Sequence, residues 1–315
     1  MSISVLIPAY NCSSTIEATI ESVLQQTVLP DEILVMNDGS TDDTEKVLQS
    51  FGNRIRVYSQ PNRGPADARN ELIARSTGDL IGFLDSDDLW HPDYLKVQQR
   101  RFREYPNAVA IWTGHVNFRG NDSYAWKDAP ADSNERVEVI PPLEFFKRYN
   151  SRTGPFSCFS YCCVPKRAFA QLGAEPFKET PTEDSYCCSL LSLIGPVVFT
   201  STDLVAYRLR EDSLSNDHGK SFGVWVHTFE LLEDKFNAEA SPLLLEEFRA
   251  AFAAKRRAYA KLLMGMGRTA EARDQFRKSV QNSANPGSRA KSLTLWSMTY
   301  LPNSLQPKWP SRYRH

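Results

Sequence analysis

Leu80-Ile81-Gly82-Phe83-Leu84-Asp85-Ser86-Asp87-Asp88 is the stretch on which the reading of this sequence turns. A short apolar run fits a buried strand, and here it runs straight into three carboxylates. Three carboxylates within four residues repel one another unless a cation joins them. Ligands that are all oxygen select a hard ion, Mg²⁺ or Mn²⁺, and magnesium is usually held by one or two carboxylates together with phosphate oxygens. The plainer alternative is a solvated acidic turn that caps the following helix.

Outward from this stretch, strand and helix signals alternate. Ile3–Ile7 is a β-branched apolar run and reads as a strand; Ser14, with Glu17 three residues on, reads as a capping box opening a helix whose apolar face is Ile16, Ile20, Val23 and Leu24. Ile33–Met36 is a second strand, ending in the turn Asn37-Asp38-Gly39-Ser40 before a helix near Thr41. Ile55–Tyr58 is a third, Gly64-Pro65 opens another helix, and Pro92 starts the next after the fourth strand, Leu80–Leu84. This alternation predicts an α/β fold, a mostly parallel sheet with helices on both faces, and ligands in such sheets bind beyond the carboxyl ends of the strands. Pro8–Asn11, Asp38 and Asp85–Asp88 all fall at those ends, which predicts one shared cleft.

Beyond residue 105 the pattern becomes α+β, with short strands at Val109–Trp112, Val137–Ile140, Phe159–Val164 and Val197–Thr200 and helices near Leu143–Tyr149 and Asp184–Leu193. From about Lys220 strand signals vanish; Ala253–Met264 and Ala270–Val280 read as a helical hairpin turning at Gly265-Met266-Gly267, with a further helix over Ala290–Tyr300. The expected division is 1–219 as one catalytic domain, in halves 1–104 and 105–219, and 220–315 as a basic helical extension.

The chain has 315 residues, 41% of them hydrophobic, and a net charge of −1, which suits a packed globular protein. That net value hides an asymmetry: residues 244–315 hold 14 Lys and Arg against 4 Asp and Glu. A basic tail on an acidic body suggests an anionic partner; with no nucleic-acid-binding motif, the cytoplasmic face of a membrane is expected over nucleic acid, and a solvated basic helix surface is the alternative. No apolar run reaches the ~20 residues that span a bilayer, and no signal peptide is read at the N-terminus, so a cytoplasmic location is expected, with peripheral membrane contact through the tail. The six cysteines lack zinc spacing and are expected as reduced, buried thiols.

Each remaining candidate has an ordinary reading. Asp38 could accept a hydrogen bond from a base or be a turn aspartate; Tyr10 could stack on a base or end a strand; Arg69 could reach a phosphate or base or form a surface ion pair. As a set they say more. Ser4–Asn11, Ser22–Thr27, Val35–Asp42, Asn62-Arg63-Gly64 with Ala68-Arg69-Asn70, Gly78-Asp79 and Phe83–Asp88 together strongly resemble the family 2 glycosyltransferases over residues 3–95, in order and spacing. Past residue 100 the resemblance thins to scattered points.

The resemblance implies a GT-A fold and a nucleotide-sugar donor, usually a UDP sugar. By carry-over Pro8, Ala9 and Tyr10 line the nucleoside pocket, Asp38 binds the base edge, Arg69 lies beside the nucleotide, Asp85 contacts the ribose and Asp87 ligates a Mn²⁺ or Mg²⁺ ion, with Asp88 behind it or capping the helix. Thr182-Glu183-Asp184-Ser185 matches the family's acidic pair: Asp184 is the implied general base, Glu183 the alternative, and a helix-start carboxylate the ordinary reading. Tyr207-Arg208-Leu209-Arg210 resembles the closing segment; Arg210 stands where many members carry histidine, which leaves a third protein ligand open and makes Arg210 a candidate contact for the diphosphate. Implied is an inverting transfer to a glycan or lipid-linked acceptor, as in bacterial surface polysaccharide or glycolipid synthesis. Two rivals remain: a non-catalytic nucleotide-sugar-binding or scaffold protein, and a haloacid-dehalogenase-type phosphatase built on Asp85 and Asp87, against which Leu89 stands where that family wants threonine or valine.

Overall fold

A computed structural model describes residues 1–120, 124–126, 135–151, 156, 158–178, 182–209, 221–283 and 285–310. The chain divides into two compact units, Met1–Glu179 with Glu183–Glu211, and Thr180–Thr182 with Asp212–His315.

The first unit is built on a mixed sheet. Its parallel half comprises β1 (Ile3–Ala9), β2 (Glu32–Asp38), β3 (Arg56–Gln60) and β4 (Leu80–Phe83), in spatial order β3-β2-β1-β4. The sheet continues through β8 (Cys162–Pro165), β6 (Ala110–Phe118), β9 (Val197–Arg208) and the two-residue β5 (Leu89–Trp90), with β7 (Val137–Ile140) paired to β9. β4–β8, β6–β8, β5–β9 and β7–β9 are antiparallel, β6–β9 parallel. Around it run α1 (Ile16–Leu24), α2 (Thr44–Ser50), α3 (Pro65–Arg75), α4 (Tyr94–Glu104), α5 (Pro142–Ser151), α6 (Lys166–Leu172) and α7 (Glu183–Ile194).

The mostly apolar burial of β1 and β4, with Val5, Leu6, Ile7, Ile81 and Phe83 fully inside, is what strands covered on both faces require. Beneath the end of β4, Phe83 meets Phe159, Phe169 and Phe177 edge-on at 5.6, 5.8 and 5.6 Å. Each such pair adds roughly 0.5–1.5 kcal/mol beyond area burial, so the strand that delivers the acidic turn is firmly seated.

Several local expectations change. Ser14 and Glu17 make no capping box: α1 begins at Ile16 after Thr15, whose hydroxyl donates to Cys12 O and, at 2.9 Å, to Ser86 O. The hydroxyl thus ties the helix start to the acidic turn. The helix expected near Thr41 starts at Thr44, and the one expected at Pro92 starts at Tyr94. Phe159–Val164 is not one strand: Phe159–Tyr161 is a 3₁₀ turn, because Ser160 leaves the ladder to give its carbonyl to Trp90 Nε1 at 2.9 Å. β9 runs to Arg208, well past Thr200, since three other strands pair along it.

The second unit is helical: α8 (Ser221–Glu239), α9 (Pro242–Gly265), α10 (Thr269–Asn282) and α11 (Pro286–Met298). Phe236 stacks on Phe248 at 4.2 Å, and Ala260, Leu263, Ala272 and Phe276 form a second small core. Among the described residues no helix is long and apolar enough to cross a membrane.

Candidate active site

The β1–β2 register sets Pro8 opposite Met36 and Ala9 opposite Asn37, so the two strands end level with each other. Asn11 then turns with φ 47°, a left-handed conformation that asparagine tolerates. Its Oδ1 accepts from Thr41 N at 2.8 Å and its N–H donates to Ser40 Oγ at 3.0 Å, which locks the two strand-end loops together. Ala9 is buried and Tyr10 is 49% exposed, an aromatic face left in water at the mouth of the sheet.

Asp38 is 3% exposed. Oδ1 accepts from Gln60 Nε2 at 2.8 Å and Arg63 N at 3.0 Å, and Oδ2 from Gly64 N at 2.8 Å. A carboxylate has about four acceptor positions, so Asp38 braces the loop before α3 and keeps one position on Oδ2 for a further donor. The turn is tight: Gly39 has φ +73°, and a Cβ there would come within 2.6 Å of Asn62 N. Only glycine meets both conditions.

Arg69, one turn into α3, is 4% exposed and joins the two halves of the site. Nη2 donates to Asp85 Oδ1 at 2.8 Å, Nη1 donates to Glu183 Oε1 at 2.9 Å, and Nη1 lies 3.5 Å from Asp184 Oδ1. The Phe177 ring lies 5.5 Å away, under the guanidinium. A single buried cation therefore gathers the carboxylate at the end of β4 and both carboxylates at the start of α7. Burial pushes the Asp184 carboxyl up, Arg69 pulls it down, and Glu183 and Asp85 push it up again, to about 8. The side chain keeps 21% of its surface, enough for a hydroxyl to reach and too little to hydrate the charge fully.

Asp88 N donates to Asp85 O at 3.1 Å, closing the acidic turn on itself. Asp88 is fully buried; Oδ1 accepts from Arg208 N at 3.0 Å, and Oδ2 has no hydrogen-bond partner among the described residues. Burial and the neighbouring Asp87 and Asp85 hold its carboxyl well above the usual range. Asp87 is partly exposed, and its carbonyl accepts from Arg208 Nε at 2.6 Å. Cys158 Sγ donates to Asp85 Oδ2 at 3.3 Å, and burial keeps this thiol protonated. Ligand atoms of Asp85, Asp88 and Cys158 lie within 4.8 Å of one another. This set fits a hard divalent cation to the extent that it offers carboxylate oxygens, one of them, Asp88 Oδ2, buried without a hydrogen-bond partner among the described residues; the charge of Asp85 is already met by Arg69. The thiol serves as a hydrogen-bond donor that orients Asp85.

All six cysteines are free and buried, as expected. Trp90 is an anchor inside the core, stacked on Tyr94 at 4.1 Å. Arg210 lies outside the described residues. Two contributors, Arg208 and Cys158, were invisible as site residues in the sequence. Arg208 stood in the quoted segment Tyr207-Arg208-Leu209-Arg210, but nothing local there distinguished it from Arg210; Cys158 had no signal beyond being one more buried thiol.

Residues 4–172 match the glycosyl transferase family 2. Among curated relatives, chondroitin synthase of Pasteurella multocida (strain Pm70) is 34% identical over 158 residues, which cover 48% of this chain and 16% of that protein. The UDP-Glc:alpha-D-GlcNAc-diphosphoundecaprenol beta-1,3-glucosyltransferase WfgD of Escherichia coli is 36% identical over 127 residues, 40% of this chain and 49% of that one. The chain thus spans at most about half the length of these relatives. Among solved structures, S. aureus TarS 1-349 in complex with UDP-GlcNAc superposes with a TM-score of 0.70 at 17% identity, over 95% of this chain and 90% of that one. The mixed sheet with its flanking helices is the GT-A fold, and by its sequence the chain belongs to glycosyl transferase family 2.

Proposed function

We propose that this chain transfers a sugar from a nucleotide diphosphate sugar, a UDP sugar by preference, to an acceptor hydroxyl with inversion, in bacterial surface polysaccharide or glycolipid synthesis. The observation that carries the reading is the Arg69 hub, which brings Asp85 at the end of β4 together with Glu183 and Asp184 at the start of α7. The acids assigned to donor and to acceptor are thereby held around one cleft. Relatives named as chondroitin synthase and as a UDP-Glc-dependent glucosyltransferase support the substrate class.

In this reading residues 1–219 are the catalytic domain, with 1–104 serving the donor and 105–219 the acceptor, and 220–315 are an accessory helical region. Tyr10 stacks on the base, Pro8 and Ala9 form the pocket wall, and the remaining acceptor position of Asp38 takes a base N–H. Asp85 takes the ribose. Asp87, with Asp85 and Asp88 at hand, would hold a divalent cation, Mg²⁺ or Mn²⁺, whose positive charge would stabilise the leaving diphosphate. Asp184 takes the proton from the acceptor hydroxyl, with Glu183 as the alternative base. The freed oxygen forms its bond to the anomeric carbon as the bond to the diphosphate breaks, and the nucleoside diphosphate leaves. Arg69 is a positioning residue: Nη2 donates to Asp85 and Nη1 to Glu183, and these bonds fix the base relative to Asp85, while Nε has no hydrogen-bond partner among the described residues.

The test is nucleotide release from a panel of UDP, GDP and dTDP sugars with Mn²⁺ or Mg²⁺, alongside Asp87→Ala. Metal-dependent release from one donor, lost in the variant, is expected. Failure of every donor to bind would sink the reading; donor binding with no transfer across a broad acceptor panel would favour a binding protein, and phosphoester turnover without acceptor would favour a phosphatase.

A further inference from the structure

We infer that the end of the helical unit, α11 and the turn that follows it, docks on the surface of an anionic lipid membrane. From Gln275 to His315 the sequence holds seven Lys and Arg and no Asp or Glu. Several cations of this unit are used internally. Arg256 is shared among Glu230, Gln275 and Asn282, Arg268 pairs with Glu271, and Arg277 and Lys278 pair with Asp274. Arg289, Lys291 and Lys308 are different: they are exposed, and their side chains make no ion pair or hydrogen bond among the described residues.

These cations are interleaved with apolar side chains left in water. Leu293 is 43% exposed, Tyr300 60%, Leu301 41% and Leu305 67%. On α11, Ser292 is buried and Leu295 and Trp296 pack on the Phe276 core, so at 100° per residue Leu293 and Arg289 fall side by side along one edge of the packed face and Lys291 along the other. The exposure is held in place. Arg273 Nη2 donates to Thr299 O at 2.7 Å with its guanidinium over Tyr300, Gln306 Nε2 donates to Leu301 O at 2.8 Å, and Trp309 returns to Phe276 at 5.9 Å between ring centres.

Charge and shape select the occupant. A strip of cations without acids is not complementary to itself, so a second copy of the chain would meet repulsion. Nucleic acid would use the cations but prefers flat aromatic platforms and leaves three leucine tips idle. An anionic bilayer uses both: lysine and arginine at the headgroups, leucine at the acyl boundary, tyrosine between them.

The experiment is flotation of the full chain with vesicles of phosphatidylcholine alone and of phosphatidylcholine mixed equally with phosphatidylglycerol, without donor or acceptor, so that it stands apart from the transferase reading. Binding to the mixed vesicles alone, weakened by salt, is expected. Replacing Arg289→Gln, Lys291→Gln and Lys308→Gln together should lower partitioning about a hundredfold, at about 1 kcal/mol per charge. Leu293→Ser with Leu305→Ser should lower it about tenfold. All five side chains are exposed, so thermal unfolding should not move. Absence of binding to the mixed vesicles, variants that bind like the parent, displacement of the vesicles by single-stranded RNA, or a dimer in sedimentation equilibrium that the leucine variants dissolve would each overturn the inference.

Discussion

Replacing Arg69 with alanine is the sharpest probe of the site. The guanidinium is 4% exposed and faces three carboxylates at 2.8, 2.9 and 3.5 Å, whose side chains are themselves 27%, 15% and 21% exposed. Removing one partner of a buried ion pair costs about 3–5 kcal/mol, and the residual exposure of the acids reduces this to about 2–4 kcal/mol. At an effective dielectric near 20, a unit charge 3.5 Å from Asp184 is worth roughly 4–5 kcal/mol. Water at the exposed side of the carboxyl screens the pair and reduces this to at least roughly one pKa unit of stabilisation for Asp184. The sign follows. Arg69 favours the ionised carboxylate, so without it the Asp184 carboxyl climbs above about 8 and the ionised fraction near neutrality falls roughly tenfold. If Asp184 is the base, kcat/KM near neutrality falls about tenfold and the acid limb of the pH–rate profile moves up by about one unit. UDP affinity, read by calorimetry, should stay as it is. Arg69→Lys keeps the charge but not the planar fork, and should recover the pH profile better than the stability. A profile that stays put while UDP affinity collapses would refute this reasoning and return Arg69 to the nucleotide.

Other outcomes follow from the same geometry. Asp184→Asn should abolish transfer while leaving donor binding intact, whereas Glu183→Gln should leave measurable transfer; the reverse pattern in single-turnover assays would exchange their roles. Gly39→Ala must adopt φ +73° with its Cβ 2.6 Å from Asn62 N, so it should cost about 2 kcal/mol or more in urea unfolding and weaken nucleotide binding through Asp38. Glu32 is held below the usual carboxylate range: burial opposes the shift, but Ser4, Thr77 and Arg56 all favour the anion. Its contribution is therefore complete above the unfolded value of about 4.3 and is lost as pH falls through the lower folded value. Glu32→Gln should cost about 1–2 kcal/mol near neutrality and less near pH 3 in the same unfolding assay.

What the sequence showed and what it hid have physical causes. The strand-end motifs were legible because the signal is local: an apolar run that must be buried on both faces, followed at once by polar residues that must not be, marks β1, β2 and β4 without knowledge of their neighbours. Asp38 and Asp85 could be placed at the strand ends on that ground alone. The capping box at Ser14 was misread because Thr15, one residue on, has a better partner in Ser86 O, 71 positions away. The strand over Phe159–Val164 broke for the same reason, when Ser160 was claimed by Trp90 from 70 positions away. A local pattern yields wherever a distant donor or acceptor is buried beside it, because an unmade buried hydrogen bond costs more than a slightly poorer cap or a shorter strand.

Arg69 is the extreme of this rule. In the sequence it is one basic residue in a helix that also holds Arg75, and its natural reading is a surface ion pair. Nothing within ten positions says that it will be buried, because the carboxylates that keep it charged are 16 and 114 positions away. Those same separations make it useful. A cation satisfied within its own helix could not set the distance between an acid at the end of β4 and an acid at the start of α7. One that must reach both can stay ionised in the interior only if both are in place, so the burial of Arg69 and the registration of Asp85 against Asp184 stand or fall together.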